Sequence, residues 1–84
     1  MRVEFFGVPR ERAGVAELEM QAQTLGQLLE ILAQRIPSLG DLIAEDKLHS
    51  TFVASLNGDQ FVSDPQTRLR EDDNILILSA DAGG

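Results

Sequence analysis

The chain has 84 residues, of which 43% are apolar and 25% charged, a composition typical of one folded domain. It contains no cysteine, which excludes disulfides, thiolate metal sites and a cysteine nucleophile. Fourteen acidic residues against seven basic ones give a formal charge of −7, which argues against nucleic acid as a partner and favours a basic protein surface. The apolar stretches are too short for a membrane span and the N-terminus lacks a secretory pattern, so we expect a cytoplasmic protein without membrane contact.

The first quarter of the chain predicts a β-hairpin. Residues 2–8 are rich in strand-forming types and stop at Pro9. Residues 15–21 alternate apolar and acidic side chains, as a half-exposed strand does. We expect residues 9–14 to form the turn between these two strands.

A helix is predicted over residues 24–36, where apolar residues recur at helical spacing. Thr24 and Gln27 have the spacing of a capping box at its start, and Pro37 should end it. Residues 38–46 predict a further short helical turn.

The last third of the chain predicts a second hairpin and one more strand. Residues 52–58 form a strand that runs into an Asn-Gly-Asp turn, and residues 60–62 form the short return strand. Residues 74–79 are continuously apolar, as in a central strand covered on both faces. The order of hairpin, helix, hairpin and strand predicts an α+β fold, with a mixed sheet of four to five strands packed on one main helix.

The two faces of this sheet acquire different roles if the first and last strands are neighbours. Alternation then turns one set of side chains toward the leucines of the helix, namely Val3, Phe5, Ile75 and Ile77. A second set points away from the helix and predicts a partner-binding face, namely Phe6, Val53, Leu76 and Leu78.

Side chains able to carry out catalysis are scarce. His49 is the single histidine and has no nearby nucleophile to activate, so we interpret it as an exposed loop residue. Glu71, Asp72 and Asp73 are consecutive and lack the spacing of a calcium loop. We therefore predict no metal site, no bound cofactor and no active site complete within this chain.

The C-terminal residues 79–84, "SADAGG", are expected to form a flexible tail on a domain of residues 1–78. Ala82, Gly83 and Gly84 carry almost no side chain, and six extended residues span about 20 Å, so the tail can thread into a narrow channel of another protein. Its terminal carboxylate is useful there if a partner activates it, for example as an acyl adenylate formed with ATP. This pattern indicates a covalent carrier.

Three segments resemble one known family. They are "VEFFGVPRERAG" at 3–14, "SLNGDQF" at 55–61 and "TRLREDDNILILSADAGG" at 67–84. These segments are similar to the MoaD/ThiS family of ubiquitin-like β-grasp sulfur carriers, and most of all to its members that form the small subunit of molybdopterin synthase. The resemblance covers the whole chain and implies the β-grasp fold.

The resemblance also implies a function. Gly84 would be adenylated by an adenylyltransferase resembling the ubiquitin-activating enzymes, which uses ATP, and then converted to a thiocarboxylate. Gly83 and Ala82 would let the tail enter the partner's channel. The large subunit of molybdopterin synthase would supply the catalytic residues for sulfur donation in molybdenum cofactor biosynthesis, so this chain would not be an enzyme alone.

Several alternatives stay open within and beyond this resemblance. The ending "AxAGG" is similar to carriers for cysteine synthesis, whereas carriers of the thiamine pathway usually lack a segment equivalent to residues 37–51. A ubiquitin-like protein modifier would share the tail chemistry up to the adenylate, and a plain interaction module would have an inert tail. Asp72 replaces the family's usual glycine and is expected in a left-handed turn; Ser79 and Ala80 replace frequent prolines.

Overall fold

The computed structural model describes the backbone of residues 1–83 and the side chains of residues 1–81. The main sheet contains five strands: β1 Arg2–Phe5, β2 Glu17–Glu19, β5 Phe52–Leu56, β6 Gln60–Val62 and β7 Asn74–Ser79. A separate two-stranded ribbon contains β3 Ile43–Ala44 and β4 Lys47–Leu48. The helices are α1 Val8–Ala13, α2 Leu25–Arg35, α3 Ala80–Gly83 and a 3₁₀ helix at Pro37–Asp41. The predicted α+β class is confirmed.

The strand order in the main sheet is β2-β1-β7-β5-β6. β1 and β7 lie side by side at the centre and run parallel, which the long connection between them permits, and the other pairs are antiparallel. The prediction that the first and last strands are central neighbours is confirmed. With α2 packed across one face, this mixed sheet is the β-grasp fold.

The core lies between α2 and one face of the sheet. Val3 pairs with Ile75 and Phe5 with Ile77 in the parallel register, so these four side chains share a face, and all are buried. They join one cluster with the helix leucines Leu25, Leu28, Leu29 and Leu32. Burial of each large apolar side chain contributes about 1.5–3 kcal/mol, so this cluster is the main source of stability.

The start of α2 follows the predicted capping pattern with one difference. The Thr24 Oγ1 atom accepts a hydrogen bond from the Gln27 backbone N–H at 3.2 Å. The Gln27 Oε1 atom accepts from the backbone N–H of Gln23 at 2.6 Å, one residue before the cap. Side chains therefore satisfy donors on both sides of the helix start.

The predicted turn at residues 9–14 is wrong, because most of this segment forms helix α1. Pro9 lies in the first turn, where its fixed φ suits a helix, and the helix ends at Gly14 with a left-handed φ of 75°. Gly7, at φ 72°, ends the extended chain after β1 and starts the helix. A six-residue helix is too short for its apolar spacing to stand out in the sequence.

The segment after α2 contains more structure than the one helical turn predicted for residues 38–46. The 3₁₀ helix comes first, and the β3–β4 ribbon follows with Glu45 at its turn in a left-handed conformation. Leu39, Leu42 and Ile43 are buried in the same cluster as α2, so this segment extends the core. None of the helices within residues 1–83 has the length and apolar character needed to cross a bilayer.

Candidate functional site

The C-terminal segment leaves the sheet from its central strand. β7 ends at Ser79, which pairs with Phe52 of β5, and the Ala80 backbone N–H then donates to the Thr51 carbonyl at 2.9 Å. Ala82 and Gly83 lie in the single helical turn α3, and Gly84 lies outside the described residues. Flexibility of residues 79–84 and threading by Ala82 and Gly83 stay predictions.

The end of β1 lies beside the start of this tail, because β1 and β7 run parallel. The Phe6 backbone N–H donates to the Ile77 carbonyl at 3.0 Å, next to the last residues of β7. A Cβ atom built on Gly7 would lie 3.9 Å from Ser79 Oγ. The Phe6 side chain is 55% exposed, so an apolar ring is available close to where the tail begins.

The sheet face opposite α2, here called the open face, contains the four residues predicted to bind a partner. Val53 pairs with Leu78, and Leu76 lies two residues before Leu78 on the same face of β7, opposite Glu4 of β1. Phe6 directly follows β1, and alternation places it on this face as well. Val53 and Leu76 are half-buried. Their placement away from the core cluster is as predicted, and their contact with a partner stays a prediction.

The expected exposure of Leu78 needs correction, since this side chain is only 8% exposed. β7 is the central strand, so residues of β1 and β5 flank Leu78 on both sides. Leu78 therefore supports the open face and offers little surface of its own.

Phe61 belongs to the open face and was missed by the sequence analysis. It pairs with Ser55 of β5, which in turn pairs with Leu76 of β7, so all three side chains share that face. Phe61 is 63% exposed. The signal was present in the sequence, because counting outward from a three-residue loop at 57–59, Asn-Gly-Asp, places residue 61 opposite residue 55.

The other half of the open face is charged. Arg2 Nη2 lies 2.9 Å from Glu4 Oε1, and Arg2 Nη1 lies 3.5 Å from Glu17 Oε2. The single guanidinium of Arg2 forms ion pairs with two carboxylates, so this half of the open face has a net negative charge. The open face combines an apolar area on β5, β6 and β7 with an acidic margin, which is complementary to a partner with an apolar centre and a basic rim.

Asp73, the last of the three consecutive acidic residues 71–73, has a structural role. Asp73 is 8% exposed, and its carboxylate accepts hydrogen bonds from Asn57 Nδ2 at 3.0 Å and from the Arg70 backbone N–H at 2.7 Å. Asp72 does not take the expected left-handed conformation, because positive φ among non-glycine residues within 1–83 occurs only at Glu45 and Asn57. Among the described side chains, no group of three or more His, Asp or Glu residues is arranged to hold a metal ion.

The hydrogen bonds from Asn57 and then Arg70 hold the pKa of the Asp73 carboxyl below its ordinary value. A carboxyl whose pKa is lowered in the folded state stabilises the fold at pH values above its unfolded-state pKa of about 4. This contribution is lost as the pH falls through the folded-state pKa. We expect Asp73→Asn to lower the free energy of unfolding by about 1–3 kcal/mol at neutral pH, with a smaller difference below about pH 3. Urea unfolding at both pH values measures this.

A matched control for Asp73→Asn is Asp72→Asn, which removes the same charge from an exposed neighbour. We expect that change to alter the free energy of unfolding by no more than about 0.5 kcal/mol. Equal effects of the two substitutions would show that net charge, rather than the hydrogen bonds of Asp73, determines the pH dependence.

His49 is exposed in the loop between β4 and β5, as predicted. Its backbone N–H donates to the Leu42 carbonyl at 2.9 Å, which holds the loop against the ribbon.

The sequence pattern of the ThiS family matches residues 3–84. The chain belongs to the ThiS family. A search of curated proteins finds no match for this ThiS-family chain. The family match extends through the diglycine and covers nearly the whole fold.

Solved structures similar to this ThiS-family chain include small archaeal modifier protein 1 from Methanosarcina acetivorans, at 26% identity and TM-score 0.79, with 99% of this chain and 94% of that chain covered. The BexX/CysO complex of Amycolatopsis orientalis matches at 24% identity and TM-score 0.79, with 99% of this chain and 98% of that chain covered. A complex of subunits 1 and 2 of molybdopterin-converting factor from Helicobacter pylori matches at 23% identity and TM-score 0.67, with 99% of this chain and 96% of that chain covered. The last two similarities concern the fold alone.

This ThiS-family chain is thus a ubiquitin-like protein of the sulfur carrier and modifier group. Small ubiquitin-like proteins of the ThiS type are generally non-catalytic carriers. The fold and family expectations from the sequence are confirmed, and the biosynthetic pathway stays a prediction.

Proposed function

We propose that this ThiS-family protein carries sulfur on Gly84 and donates it in molybdopterin biosynthesis, as the non-catalytic small subunit of molybdopterin synthase. The observation that carries the proposal is that the most central strand of the sheet leads directly into the C-terminal segment, beside an apolar open face. A partner that covers this face also meets the start of the tail.

The chemistry requires two steps at one carbonyl carbon. A carboxylate oxygen of Gly84 attacks the α-phosphorus of ATP in the activating partner, forming the acyl adenylate and releasing pyrophosphate. Sulfide, or a sulfur atom delivered at the same oxidation level, then attacks the acyl carbon and displaces AMP, which leaves the thiocarboxylate. ATP is a substrate of the partner, an adenylyltransferase resembling the ubiquitin-activating enzymes, and this chain supplies an acyl group without side-chain hindrance.

The open face supports docking to two partners in turn. Phe6 and Phe61 lie at its two ends and are well exposed, while Val53 and Leu76 between them are half-buried. Exposed apolar clusters of this kind are typical of protein interfaces. We propose that the same face binds first the adenylyltransferase and then the large subunit of molybdopterin synthase, which keeps the two partners mutually exclusive.

The test is intact-mass measurement after incubation with ATP, a cognate activating enzyme and sulfide. We expect the mass to rise by the difference between one sulfur and one oxygen atom. Subsequent incubation with the large subunit and the pterin precursor should return the mass to its starting value. Formation of the thiocarboxylate without transfer to that precursor would retain the carrier function and contradict the molybdopterin assignment.

A second candidate is a ubiquitin-like modifier, in which Gly84 forms an isopeptide bond with a lysine. It is favoured by the similarity to small archaeal modifier protein 1 over almost all of both chains. Immunoblots of cell extract would then show larger conjugates that disappear on deletion of Gly84. Sulfur donation for cysteine synthesis is a further variant of the carrier function, and it predicts that the thiocarboxylate is consumed by a cysteine precursor instead.

A further inference from the structure

A cavity of about 430 Å³ opens at the side of the molecule where β5 begins and β6 ends. Its apolar lining comes from α2, β4, β5 and β6 and includes Leu25, Leu29, Leu48, Phe52, Phe61 and Val62. Apolar pockets of this size accept a large side chain or a small ligand. Val53 and Phe61 border both this cavity and the open face, so the two surfaces are continuous.

A lysine and a histidine line this apolar cavity. Lys47, the one lysine in the sequence, and His49 both line it and are exposed. Among the described side chains, no carboxylate forms an ion pair with Lys47. The neighbouring Asp46 borders a different cavity, beside Gly26. In a chain of formal charge −7, the cavity is therefore a local site for a carboxylate next to an apolar group.

The edge strand beside the cavity is suited to an extended chain. In the described part of the sheet, β6 pairs only with β5, and its residues Gln60–Val62 carry no charge. The opposite edge, β2, carries exposed Glu17 and Glu19, which oppose the addition of another strand. An extended segment added to β6 would run past the cavity and place alternate side chains toward it.

We propose that this cavity binds an extended segment of a partner protein, with a large apolar side chain in the cavity and a carboxylate two residues away, on the same side of the segment, paired with Lys47. A second copy of this chain is a poor occupant, because symmetric pairing along β6 would bring Asp59 and Asp64 of both copies together. The proposal concerns recognition and does not depend on sulfur transfer.

The experiment is a methyl NMR titration of the full chain with two acetylated, amidated peptides, Glu-Val-Phe-Leu and its neutral match Gln-Val-Phe-Leu, in which the first and third side chains lie on the same side. We expect saturable shifts of the Leu48 and Val62 methyl groups with both peptides. The glutamate peptide should bind about two- to fivefold tighter, the range of one exposed ion pair. Lys47→Gln should remove this preference and keep the affinity for the neutral peptide.

Arg68→Gln is the matched control, because Arg68 is an exposed cation outside the cavity lining. It should leave the preference for the glutamate peptide intact. Equal affinity of the two peptides for the unmodified chain would overturn the proposal, as would shifts confined to the Leu76 methyls of the open face.

Two other occupants would also overturn the proposal, and each has its own signature. Concentration-dependent shifts of the cavity methyls without peptide would assign the cavity to a second copy. Shifts of the same methyls on deletion of Gly84 would assign it to the chain's own terminus. The intact-mass assay for the thiocarboxylate is independent of these titrations, so either proposal can fail alone.

Discussion

Deletion of Gly84 is expected to abolish the ATP-dependent gain of sulfur and to leave the stability of the fold unchanged. The shortened chain ends at Gly83, so its carboxylate lies about 3.5 Å short of the position that the full tail reaches. A displacement of even about 1 Å can slow an enzymatic step a hundredfold, so we expect no detectable thiocarboxylate. Intact-mass measurement after incubation with the activating enzyme, ATP and sulfide tests this.

The stability of this variant should not change, because the anchor of the tail lies upstream of the deletion. Among the side chains of residues 1–81, Leu78 is the last buried apolar one, and the hydrogen bond from the Ala80 backbone N–H to the Thr51 carbonyl closes the end of the sheet. We expect the same urea midpoint for both chains. A lower midpoint would show that the terminal residue contributes to the fold.

A matched glycine control is Gly40→Ala, because a Cβ atom at Gly40 meets no other atom within 4 Å. This substitution should affect neither the sulfur gain nor the midpoint. If the chain lacking Gly84 still gained sulfur, the acyl group would be another carboxylate and the carrier mechanism proposed for Gly84 would be wrong.

Ile77→Ala is expected to lower the free energy of unfolding by about 2–5 kcal/mol, the range for truncation of a large buried side chain. Ile77 is 2% exposed and lies between Phe5 of β1 and Ala54 of β5, facing α2. Two neighbouring strands and the helix fix its surroundings, so the cavity left by truncation collapses only partly. Urea unfolding followed by circular dichroism measures this difference.

Leu76→Ala is the matched substitution, one position earlier on the same strand and on the open face. Because Leu76 is half-buried, its truncation should lower the free energy of unfolding by about 1 kcal/mol or less. The same change should weaken binding to the activating partner about tenfold, because it removes an apolar side chain from the centre of the proposed interface. Isothermal titration calorimetry with that partner measures the affinity.

The pair of substitutions separates folding from recognition at adjacent positions. Equal losses of stability at positions 76 and 77 would contradict the division of the sheet into a core face and an open face. Unchanged partner affinity for Leu76→Ala would remove the open face from the proposed interface while leaving the fold assignment intact.

Much of the fold was predictable because its signals are local and repetitive. α2 has several turns of apolar spacing, a capping residue and a terminating proline, and its observed bounds differ from the prediction by one residue at each end. The strand β7 has six consecutive residues of strand character, and its predicted limits 74–79 are those observed. Alternation along β1 and β7 then assigned the core residues correctly.

The structure departs from the sequence predictions where an outcome depends on distant neighbours. α1 contains six residues, too few for a periodic signal, and packs against the 3₁₀ helix through the pairing of Arg12 with Asp41. The burial of Leu78 depends on both flanking strands, and alternation alone does not report how far neighbours cover a side chain.

The sequence by itself determined which residues face the core, which point to the opposite face and where the strand preceding the diglycine ends, because pleat and helical periodicity are properties of consecutive residues. Only the tertiary structure decided how far the Phe61 ring is exposed on the open face and that Lys47 lines an apolar cavity. That cavity is built from α2, β4, β5 and β6, segments separated by many residues along the chain. Their meeting depends on strand order and helix packing, which no local pattern encodes.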